Sequence, residues 1–264
     1  MPQLTSPQQS QENSYIFPYH YLSLYFELYR RVNALHYLTL LQTIKEMLGP
    51  LEGQRLLDAG CGDGRFCYEL AGEHVDLVGV DYSERAIAFA KAFNPSVEFH
   101  LRDLTNLQFE EEFDIITLID VLEHFPMENV STVVANLWKA LRPSGRLLVS
   151  VPTTNMPLSE KHYQHFTVES LEKLLAPMFD PVTKRGHTKG GKTWKHCVRL
   201  QKCARLLWPL RNSVPGINRF VSYVENYYHK KVKNCEPEEA NAIIEIFHKK
   251  NVSREKVTFQ LEAS

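Results

Sequence analysis

The stretch Leu56-Leu57-Asp58-Ala59-Gly60-Cys61-Gly62-Asp63-Gly64 decides the reading of this chain. An apolar run ends in an acid and then in three glycines at alternate positions. The run reads as a buried strand, Arg55–Ala59, and the glycines permit positive φ and close backbone approach to a ligand. A helix opening directly after the turn offers free N–H groups to a carboxylate. Asp58 suits a cationic ligand. A glycine turn alone would also fit a dinucleotide site, whose spacing is GxGxxG. Here the spacing is GxGxG, and a pyrophosphate would not welcome Asp58.

Downstream the pattern alternates. Val75–Asp81 reads as a second strand, followed by a helix capped by Ser83 that runs to Phe93. Val97–Leu101, Phe113–Leu118, Arg146–Val151 and Phe179–Thr188 read as further strands, with helices at about 127–141 and from Thr167 to Pro177. Ala242–Lys250 reads as a final strand that re-enters the sheet, with a helix as the alternative. This predicts an α/β fold: a Rossmann-like, seven-stranded, mostly parallel sheet with helices on both faces. Ligands should then bind beyond the carboxyl ends of the strands. Upstream of the turn, 22–48 carries helical periodicity after an aromatic-rich stretch from Tyr15 to Tyr29, which is expected to close the pocket from the other side, with core packing of a helix as the alternative. The expected organisation is a disordered 1–13, an aromatic-rich helical cap over 14–50, a core over 51–188, a basic helical insertion or lid over 189–236, and a final strand and tail over 237–264.

Two more acids close strands. Asp81 ends Val78-Gly79-Val80-Asp81, where a carboxylate suits a ribose diol, and Asp103 follows the third strand, placed to accept from an adenine amino group. With the LDxGCGxG motif at 57–64, these residues make the chain resemble the class I S-adenosylmethionine (SAM)-dependent methyltransferases over roughly 52–185. The resemblance implies a SAM site in which Asp58, Ala59, Gly60, Cys61 and Gly62 form the cofactor loop, with Gly60 and Gly62 against the methionine part. It places Asp81 on the ribose, Tyr82 beside the adenine, Asp103 and Leu104 around the adenine, and Ile119 and Asp120 at the methionine end.

The chemistry of the acceptor is read from two loops, Ile119–Pro126 after the fourth strand and His162–Thr167 after the fifth. Methyl transfer needs the nucleophile aligned and, for a hydroxyl, its proton removed, which an imidazole does well at neutral pH. His124 or His165 is the expected general base, oriented by Glu123, with His162 beside them. A divalent metal is the less favoured alternative. Asp120-x-x-Glu123-His124 is similar to the ExxEH segment of ubiquinone-biosynthesis O-methyltransferases and small-RNA 2′-O-methyltransferases, which implies Asp120, Glu123, His124 and His165 as ligands, with His162 an alternate. Here Asp stands where those families have Glu. A third reading makes these residues structural, capping a helix and fixing a loop.

Charge is unevenly spread. Pro181–Lys233 holds thirteen Lys/Arg and one acid, Glu225, so it is +12 while the rest is −13. Within it, Trp194, Cys197, Leu200, Cys203, Ala204, Leu207 and Trp208 gather on one helical side and Lys195, Arg199, Lys202 and Arg205 on the other. A lid is favoured, peripheral membrane contact comes next, and nucleic acid is less favoured because no recognition motif accompanies the charge. Five cysteines without CxxC spacing argue for a reducing compartment. With neither a signal-peptide pattern nor an apolar run of ~18 residues, a cytoplasmic location is expected. The expected function is a SAM-dependent methyltransferase acting on oxygen or nitrogen of a small-molecule or lipid-like acceptor. The alternatives are an RNA 2′-O-methyltransferase, a non-catalytic SAM-binding subunit and, least favoured, an NAD-dependent oxidoreductase.

Overall fold

The computed structural model describes residues 6–253. Residues 1–5 and 254–264, the ends of the expected disordered and tail segments, lie outside that range. The chain opens with α1 (Ser6–Ser14), α2 (Leu22–Tyr25) and α3 (Leu35–Leu48). The alternation then gives β1 (Arg55–Ala59), α4 (Arg65–Glu69), β2 (Asp76–Asp81), α5 (Glu84–Phe93), β3 (Glu98–Leu101), β4 (Phe113–Ile119), α6 (Met127–Ala140), β5 (Leu141–Pro152), α7 (Val168–Leu175) and β6 (Phe179–Lys189). The insertion forms α8 (Gly191–Leu207), α9 (Ile217–Tyr227) and β7 (Asn234–Cys235), and β8 (Ala240–Lys249) closes the fold.

The sheet order is β3-β2-β1-β4-β5-β8-β6-β7. Strands β1 to β5 are parallel, and β8 runs antiparallel between β5 and β6. The 242–250 segment is therefore the re-entering strand, not a helix. The sheet has eight strands rather than the expected seven, because the end of the insertion pairs as a two-residue edge against Gly186 and His187. Chain order reverses between β1 and β4, and such a switch point opens a crevice at the strands' carboxyl ends.

Side-chain alternation explains why both faces are covered. Leu57 and Ile116 join a core under α6 and α7, while Leu56 and Ile115 join a second core under α3, α4 and α5. Ser83 caps α5 by accepting from the Ala86 N–H at 3.0 Å, and Thr167 caps α7 in a reciprocal pair with Ser170. These caps fix where the helices leave the crevice.

Two expectations are corrected. Residues 6–13 are helical rather than disordered. Their polar sequence is a poor helix former alone, but docking overrides that: the Tyr82 hydroxyl donates to the Gln8 carbonyl at 3.2 Å, Glu12 faces Arg85 at 3.7 Å, and Tyr15 is buried. The insertion, expected as a lid, contributes no described residue to the crevice. Cys197 and Ala204 of α8 pack instead toward Tyr228, Val224 and the N-terminal Val32 and Leu35, and Cys203 and Leu207 are exposed, not part of the buried stripe.

Candidate active site

The glycine loop hangs on β2. Gly60 and Cys61 both donate their backbone N–H to the Val80 carbonyl, at 2.8 and 2.9 Å. Gly60 has φ +79°, and a Cβ there would sit 2.5 Å from Val121 Cγ2, so no side chain fits. Gly62 has φ +54° and would strike the Tyr15 hydroxyl at 2.6 Å. The bare loop and the N-terminal segment thus enclose one cavity of about 370 Å³ at the strands' carboxyl ends.

Asp58, Gly60, Cys61, Gly62, Asp81, Tyr82, Asp103, Leu104, Ile119 and Asp120 all line this cavity; Ala59 is buried in β1 behind it. Asp58 accepts from the Thr117 hydroxyl at 2.9 Å and the Cys67 thiol at 3.7 Å. Burial nevertheless pushes its carboxyl up to about 7. Asp81 accepts from the Gly62 and Ser83 N–H groups, both at 2.9 Å, and burial raises it to about 6. Its oxygens keep lone pairs for a diol. Asp103 accepts from the Thr105 N–H and hydroxyl through Oδ1 alone, leaving Oδ2 for a donor. Asp120, at φ +53°, accepts from the Ser150 hydroxyl at 2.7 Å.

At the other end of the cavity stand Glu123, His124 and His162, whose ligating atoms lie within 4.8 Å of one another. The ring nitrogens can be assigned from their partners. His165 Nδ1 faces the Met156 carbonyl at 3.2 Å and so carries hydrogen, leaving Nε2 to accept from His162 Nδ1 at 2.8 Å. His124 Nδ1 donates to the Lys161 carbonyl at 2.9 Å. His124 and His162 are thereby each left with a free lone pair on Nε2. Burial keeps both rings neutral, holding His162 down to about 4 and His124 below its usual value. Glu123 is buried with Oε2 unpartnered, and burial, reinforced by the charge of Asp120, raises its carboxyl well above the usual range.

One expected site residue is displaced. His165 does not line the cavity; it stands behind His162 and orients it, because the turn after Met156 aims His162 inward. The implied set Asp120, Glu123, His124 and His165 is likewise not what comes together: His162 takes the inner place.

The aromatic N-terminal stretch reaches the cavity through Tyr15, Tyr19 and His20, whereas His36 and Asn241 carry no signal in the sequence. His20 from the N-terminal segment meets Asp63 of the glycine loop at 2.8 Å. His36 on α3 faces the cavity with Nδ1 2.7 Å from the Thr188 hydroxyl. Thr188 has φ +63°, rare for a β-branched residue, and its hydroxyl also meets Tyr228 at 2.9 Å. Asn241 at the start of β8 is buried with Nδ2 unpartnered on the cavity wall.

Fold and site together define a nucleoside-cofactor enzyme of the doubly wound class, and comparison with known proteins sharpens this. The methyltransferase-domain family matches residues 56–145. A ubiquinone biosynthesis O-methyltransferase from Alkalilimnicola ehrlichii is 31% identical over 215 residues, covering 73% of this chain and 81% of that protein. A demethylmenaquinone methyltransferase from Beutenbergia cavernae is 37% identical over 109 residues, 40% of this chain and 43% of that one. Among solved structures, the N-methyltransferase NodS from Bradyrhizobium japonicum, in complex with S-adenosyl-L-homocysteine, superposes with a TM-score of 0.56 over 93% of this chain and 99% of that one. At 16% identity it speaks to the fold alone. The chain belongs to the class I SAM-dependent methyltransferases and resembles their ubiquinone-biosynthesis O-methyltransferase branch.

Proposed function

We propose that this enzyme methylates a hydroxyl oxygen of a small, quinone-like aromatic acceptor, with His124 as general base. The observation that carries this is the His124 ring: Nδ1 is committed to a backbone carbonyl, Nε2 is free, and burial holds the imidazole neutral in the cavity that also holds Asp58 and Asp81. The glycine loop with Asp58, Asp81, Tyr82, Asp103, Leu104, Ile119 and Asp120 holds SAM. Asp58 meets the cationic methionine end and Asp81 the ribose. The acceptor lies toward His124, on the part of the wall that carries His162 and Phe125.

His124 Nε2 takes the hydroxyl proton as an oxygen lone pair attacks the SAM methyl carbon in line. The carbon–sulfur bond breaks, its electrons stay on sulfur, and the products are a methyl ether and S-adenosylhomocysteine. The imidazolium then returns its proton to water. The quinone-related names of the relatives support the acceptor class.

A second reading rests on Glu123. A buried Glu123 carboxyl with one oxygen unpartnered, beside two neutral imidazoles with free nitrogens, fits a divalent cation, which would favour the ionised carboxylate; the Lys161 carbonyl behind His124 and the His165 ring behind His162 are the kind of partners that orient metal-binding histidines. Glu123, His124 and His162 would hold the ion, which would supply Lewis-acid activation of the hydroxyl. Incubation with methyl-labelled SAM and a panel of ortho-dihydroxybenzenes and reduced quinones tests both readings. Label in the ether product supports the first, and no transfer to any member rejects it. Loss of transfer on chelation, restored by one divalent ion, supports the metal reading; full activity after exhaustive chelation rejects it.

A further inference from the structure

The insertion remains without a part in the cavity. Its segment 191–233 holds ten Lys/Arg and one acid. That acid, Glu225, is taken by Arg31 at 3.0 Å. The cations Lys192, Lys195, Arg199, Lys202 and Arg205 are exposed along α8, and Lys230 and Lys231 follow α9.

From the end of α8 into the turn before α9 the exposed residues change character. Leu206 is 79% exposed, Leu210 49% and Val214 45%. They are interleaved with Arg205, Arg211 and Arg219, and the Arg211 guanidinium lies 4.6 Å from the Trp208 ring. A second apolar segment adjoins them. Tyr25 is 69% exposed and Phe26 59%, and Leu28, two residues on, packs against the same cluster of Val32, Ala204, Val221 and Val224 that Leu200, Trp208 and Phe220 of the hairpin pack against. Both apolar segments are thus rooted in one small cluster, with the Arg211 guanidinium over its Trp208 ring and the exposed cations of α8 on one of its helices.

We propose that the α8–α9 hairpin and the Leu24–Phe26 segment together form a surface that docks on an anionic lipid bilayer. The charge is complementary to anionic headgroups, and arginines flanking leucines can keep their stems in the apolar layer with their heads in the phosphates. Nucleic acid would satisfy the cations but not the leucines, and the most exposed of these sits inside the most basic helix. Among the described residues no helix is long and apolar enough to cross a membrane, so contact would be at the surface.

The docking surface also adjoins the cavity through the chain. His20 lines the cavity, and Tyr25 is at most about 18 Å of extended backbone away. Docking would set the cavity's N-terminal wall beside the headgroups, within reach of an acceptor partitioned into the lipid. The proposal rests on surface residues alone and stands apart from the acceptor and base assignments.

Co-sedimentation of the full chain with phosphatidylcholine vesicles, with and without about one-third phosphatidylglycerol, tests it at low and physiological salt. Binding should be roughly tenfold stronger to the anionic vesicles and weaken with salt. The double variant Leu206→Glu/Leu210→Glu, and separately Tyr25→Ser/Phe26→Ser, should each lose roughly tenfold in vesicle binding, with circular dichroism and SAM binding unchanged. No binding at either salt overturns the proposal. So does binding that both apolar variants retain. Tighter binding to polyuridylate than to anionic vesicles, indifferent to the leucines, overturns it in favour of nucleic acid.

Discussion

The two ends of the cavity are built differently. At the cofactor end, Gly60, Gly62, Asp58 and Asp81 come from two adjacent parallel strands and the loop between β1 and α4, so their geometry follows from about 25 consecutive residues and a short crossover. At the acceptor end, His124 follows β4, His162 follows β5, His36 rides on α3 with Thr188 of β6 behind it, and Asn241 opens β8. Nearly every group there is held by a partner distant in sequence: His124 by Lys161, His36 by Thr188, and Thr188 by Tyr228. The first end is a local construction and the second a product of topology. A change at one end should therefore leave the other intact.

The largest expected effect tests that separation directly. His124→Ala should lower the transfer rate by about 10²–10⁴-fold, the usual range for a general base, while SAM titrates by calorimetry as in the parent. A matched loss of SAM affinity would mean the two ends are one unit.

Gly60→Ala should act in the opposite sense. Its Cβ would meet Val121 at 2.5 Å in a left-handed backbone. Strain and overpacking of about 2–4 kcal/mol should appear as SAM affinity weakened by roughly 30- to 1000-fold. Gly49→Ala is the control: φ is +70° there, but nothing lies within 4 Å, so only stability should fall, by about 1 kcal/mol.

A pH titration sharpens the comparison at the cofactor end. Burial raises Asp58 to about 7 and Asp81 to about 6. The ligand-free fold therefore binds more protons than the unfolded chain, and this contribution to stability is lost as pH rises from about 4 through 7. Ligation runs the other way. A cationic ligand favours ionised Asp58, and a diol favours Asp81 as acceptor, so SAM affinity should rise between pH 5 and 7.5. The limit is about tenfold per pH unit for each group. Calorimetry across that range checks this, and flat affinity would remove both carboxylates from the site.

The smallest effect concerns the far wall. Thr188→Val keeps shape but removes the hydroxyl between His36 and Tyr228. It should cost about 1–3 kcal/mol in stability, read by denaturant unfolding, and change acceptor KM a few-fold with SAM affinity untouched.

The same contrast governs what the sequence could tell. Asp58, Gly60, Gly62, Asp81 and Asp103 were legible because strand period and glycine spacing are local signals. Leu56 and Leu57 announced a strand buried on both faces, and Ser83 and Thr167 announced their caps. Which histidine faces inward was not legible. His162 and His165 differ by three residues, and only the hydrogen bonds to Met156 and between the rings separate them. His36 and Asn241 were invisible because α3 and β8 bring them to the cavity across long separations. The helicity of 6–14 was missed because contacts to Tyr82 and Arg85, not propensity, hold it.

Tyr15 over Gly62 has a kinetic meaning. The wall it belongs to is a nine-residue helix and the turn after it, tied down by Tyr82, Arg85 and the Lys161–Ser14 hydrogen bond. A short polar helix held by a few surface contacts belongs to the least stable class of substructure. Cofactor and product exchanging on that side would do so at the rate at which this wall melts and re-forms. Turnover would then be timed by local unfolding of residues 6–20 rather than by the chemistry at His124.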